Sequence, residues 1–252
     1  MSRRISRAVL ALALPAALPV QAGEVRVAVA SNFSSAIQAI EPEFERATGH
    51  RLRISTGSTG KLYAQIRNGA PFDVFLAADT RRPRKLDEAG EVAENGRFTY
   101  ARGRIALWGP HPKDVAGPET LAGDFRHLAI ANPRTAPYGL AARQTLKALG
   151  RWSELQGRMV RGENIGQAYQ FVASDNADLG FVALSQISGP NRPGSGSRWL
   201  VPQRHYEPIR QQAVLLRDAT DSQAARAFVD FLRGSGPAEI LRDFGYGVPA
   251  RE

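Results

Sequence analysis

The feature that most limits how this chain can fold is a repeated unit. A short apolar strand leads into a turn rich in Ser, Thr, Gly or Asn, and the turn opens a helix. Strands and helices that alternate in this way build α/β proteins with parallel sheets. Residues 25–29 read as the first strand, and the helix after it carries Ile37, Ile40 and Phe44 on one face before stopping at Gly49. Ser35 and Gln38 predict a capping box at its start, and Pro42 predicts a bend within it. Residues 52–55 are the second strand, and a helix over about 58–68 ends at Gly69. Residues 74–78 are apolar without alternation, as in a strand covered on both faces.

The second half repeats the pattern. Residues 104–108, 128–131 and 179–182 read as strands, 139–149 as a helix closed by Gly150, and Ile165, Ala168 and Val172 as the apolar face of another helix. Residues 189–197, with their prolines and glycines, read as a loop, and 212–216 as a further strand. Of two C-terminal helices, the first carries Ala227, Phe228, Phe231 and Leu232 and stops at Gly234, and Pro237 opens the second. This pattern fits one doubly wound sheet or two lobes joined by two crossings. The polar, irregular stretches 100–106 and 203–212 are where the crossings are expected.

Residues 1–22 combine a basic start (Arg3, Arg4, Arg7), an apolar run over 8–20 and small residues at 20–22, the three parts of a secretory signal. The run is shorter than the roughly 20 residues that span a bilayer. The expected location is therefore the periplasm. Without those three arginines the formal charge falls from +9 to +6. The cations are scattered, without aromatic interleaving, so no nucleic-acid partner is expected. Arg81, Arg82, Arg84 and Lys85 form the densest cluster and read as a solvated helix face.

The sequence contains no cysteine, which excludes disulfides, thiolate nucleophiles and cysteine-held metals. Its four histidines are isolated and no Gly-x-Ser-x-Gly elbow occurs, so no catalytic residue, metal cation or cofactor is expected. Gly57-Ser-Thr-Gly60-Lys61 lacks the first glycine of a phosphate loop and has Leu62 where magnesium would be held. Asp73, Asp79 and Glu163 read as strand-end or cap residues. Four turns remain, at 30–35, 55–60, 135–139 and 162–166. Each places hydroxyls and amides at a helix start, where aligned peptide dipoles and unpaired N–H groups favour an anion. At the carboxyl ends of strands, such turns converge on the crevice where open α/β sheets bind ligands.

These segments resemble a known family. Residues 27–33, 55–66 and 69–79 are similar to the periplasmic molybdate-binding proteins of ABC importers, as are 132–139, 162–168 and 179–185. The resemblance covers 24–248 and implies a two-lobed, type II periplasmic binding protein fold, each lobe a mixed or parallel sheet flanked by helices, with two crossovers. It implies one lobe from 23–103 and 207–252 and a second from 104–206. It further implies a monomer that hands molybdate or tungstate to a membrane permease. Carried over residue by residue, the oxyanion would meet Ser31 by hydroxyl and amide, Asn32 beside it, Ser58, and the backbone N–H groups of Tyr138 and Ile165. Some relatives also supply a tyrosine hydroxyl near 181–184, where this chain has Ala183; Asn32 and Tyr138 are expected to compensate. The rival readings are a same-fold binder of sulfate, phosphate or ferric iron, an exported phosphate- or sulfate-ester hydrolase, and the sensing half of a transcription regulator.

Overall fold

The computed structural model describes residues 22–190, 196–219 and 221–249. The expected signal segment, apart from residue 22, and positions 191–195 of the expected loop lie outside the described residues.

The strands are β1 (Glu24–Ala30), β2 (Arg51–Gly57), β3 (Val74–Ala77), β4 (Val92–Gly103), β5 (Ile105–Gly109), β6 (Leu128–Ala131), β7 (Met159–Gly162), β8 (Leu179–Ala183), β9 (Ser197–Leu200) and β10 (Ile209–Leu216). The helices are α1 (Ser34–Thr48), α2 (Thr59–Arg67), α3 (Arg81–Glu88), α4 (Pro137–Ala148), α5 (Trp152–Leu155), α6 (Ile165–Ala173), α7 (Leu184–Ile187), α8 (Ser222–Leu232) and α9 (Ser235–Asp243). They form two five-stranded sheets, ordered β2-β1-β3-β10-β4 and β7-β6-β8-β5-β9. Both follow one plan. Three parallel strands run side by side, then two neighbours join antiparallel.

The chain leaves the first sheet at Gly103, enters the second at Ile105, and returns to the first at Ile209. These are the two crossovers, and the first is a single residue, Arg104. The polar stretch at 100–106 is therefore almost all strand. It reads as irregular because β4 is an edge strand, half exposed along most of its length and never alternating cleanly. The β3 segment is buried at every position, as expected of a strand covered on both faces.

Helix stops fall at the expected glycines, with φ of 75° at Gly49 and 81° at Gly69, conformations that cost a Cβ-bearing residue more than glycine. The capping box at Ser35 does not form. A 3₁₀ turn over Ser31–Phe33 precedes α1, so the helix begins two residues early and Phe33 is its N-cap. The Arg81 cluster is only partly a solvated face: Arg81, Arg84 and Lys85 are exposed, but Arg82 is buried and ion-paired with Asp79.

Helices α1, α8 and α9 cover one face of the first sheet with an apolar layer in which Phe44 and Phe228 meet edge to face at 5.1 Å. Phe228 is fully buried. Phe228→Ala should lower unfolding free energy by about 3–5 kcal/mol through lost transfer energy and a residual cavity. Urea denaturation checks this; a loss below about 1 kcal/mol would mean that the layer repacks around the gap.

Candidate functional site

The four turns singled out in the sequence sit at the carboxyl ends of β1, β2, β6 and β7, two from each sheet. Their ends meet. Ser31, Asn32, Ser58, Tyr138 and Ile165 all line one small cavity between the sheets. Among the described residues, no charged side chain lines it.

Each residue arrives with an available donor for a local reason. Ser58 is the N-cap of α2, its Oγ accepting a long bond from the Lys61 amide at 3.4 Å, so the hydroxyl hydrogen remains to donate. Thr59, Tyr138 and Ile165 lie in the first turns of α2, α4 and α6, where helix geometry supplies no acceptor for the amide. Among the described residues, none of these three amides has another backbone partner. Asn164 caps α6 by accepting from the Gln167 amide at 3.0 Å, which aims the helix start at the cavity. Ser31 Oγ accepts from the Gly166 amide of the opposite sheet's helix at 3.3 Å and keeps its own hydrogen. Thr59 was not foreseen as a lining residue. Its Oγ1 accepts from the Ala78 amide at 3.1 Å and ties the start of α2 to the end of β3.

Two expectations are refined. The side chain of Asn32 gives both its Nδ2 hydrogens to the protein, one to Gln211 Oε1 at 2.9 Å and one to Tyr246 Oη at 3.0 Å. What Asn32 has left for a ligand is its backbone N–H. The Tyr138 ring is buried, and its hydroxyl accepts at 3.1 Å from Nε2 of Gln211, a residue that does not line the cavity. Ala183, where a tyrosine hydroxyl would be supplied in some relatives, is a buried strand end whose amide donates to Gln186 Oε1.

The walls touch across the cleft. The Gly60 amide donates to the Thr135 carbonyl at 2.9 Å, Ser185 Oγ donates to the Asn32 carbonyl at 2.8 Å, and Arg82 Nη2 donates to the Arg134 carbonyl at 3.3 Å. Lys61 pairs with Glu163 at the exposed rim and so points to a carboxylate rather than into the cavity. Asp79 holds Arg82, and Asp73 accepts from the Arg26 amide at 2.7 Å, the strand-end roles read from the sequence. Beneath the cavity the hydroxyls of Tyr100, Tyr138 and Tyr246 are buried. That burial pushes all three well above the ordinary tyrosine range, and neighbouring tyrosines add to the effect at Tyr138 and Tyr100.

Two lobes, each an α/β sheet, that close a neutral, donor-lined cavity between their carboxyl edges define a type II solute-binding protein. Residues 25–247 match the family model described as bacterial extracellular solute-binding protein, and the chain belongs to that family. It is 48% identical to the molybdate-binding protein ModA of Azotobacter vinelandii over 98% of this chain and all of that one. It is 44% identical to ModA of Rhodobacter capsulatus, over 96% of each chain. Among solved structures, the periplasmic molybdate-binding protein of Azotobacter vinelandii superposes with a TM-score of 0.87 at 42% identity, covering 90% of this chain and all of that one.

The buried tyrosines generate a pH prediction. In the unfolded chain they ionise near pH 10, whereas the fold holds them protonated, so above that pH the folded state binds more protons and stability falls as pH rises. The contribution is intact below about pH 10 and lost above it. Thermal midpoints measured from about pH 9 to about pH 11 should fall less steeply in Tyr100→Phe than in the parent. Equal slopes would show that Tyr100 ionises equally easily folded and unfolded.

Proposed function

We propose that this protein binds molybdate, with tungstate as an alternative ligand, in the periplasm and delivers it to the permease of an ABC importer. The activity is binding, not catalysis, as in the ModA proteins that share nearly half its residues. One observation carries the reading of the site: hydroxyls and unpaired first-turn amides from both lobes converge on a cavity without a charged lining residue.

In this reading the anion accepts hydrogen bonds from the hydroxyls of Ser31 and Ser58 and from the amides of Asn32, Thr59, Tyr138 and Ile165. A dianion that leaves water must recover its hydration from such bonds, and each one to a charged group contributes about 1.5–3 kcal/mol net. Helix dipoles add favourable potential without a fixed cation. With no countercharge to attract any anion indiscriminately, selection falls to cavity size, because molybdate and tungstate are larger than sulfate at equal charge. No cofactor is needed, since the metal arrives as an oxyanion. Residues 1–22 supply the export signal, and the protein acts as a monomer whose closed lobes the permease reads.

A thermal-shift panel with molybdate, tungstate, sulfate, phosphate and ferric citrate tests the ligand class. The first two should raise the melting temperature, since a ligand at about 100 times its Kd adds about 2.7 kcal/mol to folding. A shift with sulfate or phosphate alone would replace molybdate by that anion, and a shift with ferric citrate alone would exclude an oxyanion site. Ser58→Ala should weaken molybdate binding by more than about 1 kcal/mol in calorimetry, the cost of an unpaired partner. Parent affinity would remove Ser58 from the ligand set.

Gly60 offers a test of closure. A Cβ there would stand 2.9 Å from the Thr135 carbonyl oxygen and 2.8 Å from Arg82 Nη2 when the lobes meet. Alanine suits a helix better than glycine by about 1 kcal/mol, so Gly60→Ala should leave the ligand-free protein at least as stable. It should also hold the lobes apart and weaken molybdate binding tenfold, about 1.4 kcal/mol. Small-angle scattering should show less ligand-induced compaction than in the parent. Equal compaction and affinity would show that the cleft accommodates the methyl group.

A further inference from the structure

Gln211 lies in β10, between Arg210 and Gln212 and ahead of the apolar residues 213–216, and is fully buried. A carboxamide taken out of water is costly unless its donors and acceptors are paired. Here its Oε1 accepts from Asn32 Nδ2 at 2.9 Å and from Tyr100 Oη at 3.0 Å, while its Nε2 donates to Tyr138 Oη at 3.1 Å. One side chain thus grips the turn after β1 and the first turn of α4, two donor-bearing segments that belong to opposite sheets. Gln211 does not itself line the cavity.

The surroundings leave this group little freedom. A Cβ on Gly103, the last residue before the first crossover, would stand 2.1 Å from Tyr138 Oη and 2.7 Å from Gln211 Nε2. Asn32 is fixed from its other side as well, since Tyr246 Oη and Ser185 Oγ both lie 2.8 Å from its carbonyl oxygen.

We propose that Gln211 is a positioning residue that sets the distance between the anion donors of the two lobes, and through it the preference for a large oxyanion over a smaller one. The inference rests on the reading of the cavity as an oxyanion site. Donor–acceptor bonds weaken outside about 2.7–3.2 Å. Donors held at a spacing made for molybdate therefore under-serve sulfate, and a looser frame loses that discrimination.

The test compares the parent with Gln211→Leu, Tyr138→Phe and the double variant. Tyr138→Phe removes only the hydroxyl that faces Gln211 and keeps the backbone N–H at the cavity. Calorimetry gives the Kd for molybdate, displacement gives the sulfate concentration that removes half the bound molybdate, and urea denaturation gives stability. Each single variant should raise the molybdate Kd about tenfold and lower the sulfate needed for displacement by more than the weaker molybdate binding alone explains. In the double variant both partners of one hydrogen bond are apolar, so stability should recover in part. The preference should not recover with it. A merely structural role would restore preference together with stability. That result, or parent-like preference in both single variants, overturns the proposal. A parent that fails to bind molybdate would instead overturn the molybdate reading beneath it.

Discussion

A doubly charged anion held without a countercharge must have its whole hydration shell replaced by oriented neutral donors. That requirement organises the rest of the molecule. Backbone amides at helix starts are suited to it, because they are left unpaired by helix geometry and their dipoles point the same way. A strand-turn-helix unit delivers such a start at the carboxyl end of its strand. Parallel strands deliver several at one edge. Two sheets placed edge to edge can enclose a guest from both sides, and the turns after β1, β2, β6 and β7 border one cavity here.

The charged groups nearby have been kept to supporting positions. Lys61 and Glu163 pair across the rim with both side chains more than half exposed, and exposed pairs contribute at most about 1 kcal/mol. Arg82 is engaged by Asp79 and the Arg134 carbonyl. In the proposed reading, closure depends on the donors that meet the anion and on the buried contacts below them, with the rim charges adding little. The short first crossover matters in the same way. With only Arg104 between β4 and β5, the sheets are joined closely at the level of Gly103, where the Tyr138–Gln211 contact sits.

Much of this was legible in the residues. The strand-turn-helix repeats, the glycine stops at 49, 69 and 150, and the four polar turns follow from local chemistry: apolar runs, hydroxyls at helix starts, and glycine where φ turns positive. Which residue of each turn faces the cavity came from the family resemblance, and Ser31, Asn32, Ser58, Tyr138 and Ile165 do line it. Local chemistry fails where the decisive partner is distant. Asn32 reads only as a residue beside the ligand, and nothing local shows that its side-chain hydrogens go to residues 179 and 214 positions away. Gln211 could have been noticed as a polar residue beside an apolar strand, but its partners could not. Arg82 reads as part of a solvated face because one partner that holds it, the Arg134 carbonyl, is 52 positions away in the other lobe, while Asp79, three residues before it, reads only as a cap. The edge strand β4 escaped for a third reason: it is half wet, so it lacks the apolar signature of the strands it joins.

The central claim is that amides and hydroxyls of both lobes hold the anion at once. An amide-resolved nuclear magnetic resonance titration with molybdate tests it most directly, because an N–H that begins donating to an oxyanion moves downfield. The amide signals of Asn32, Thr59, Tyr138 and Ile165 should move together and saturate at one equivalent. Movement confined to one lobe, or to arginine and lysine side chains while these amides stay in place, would contradict it.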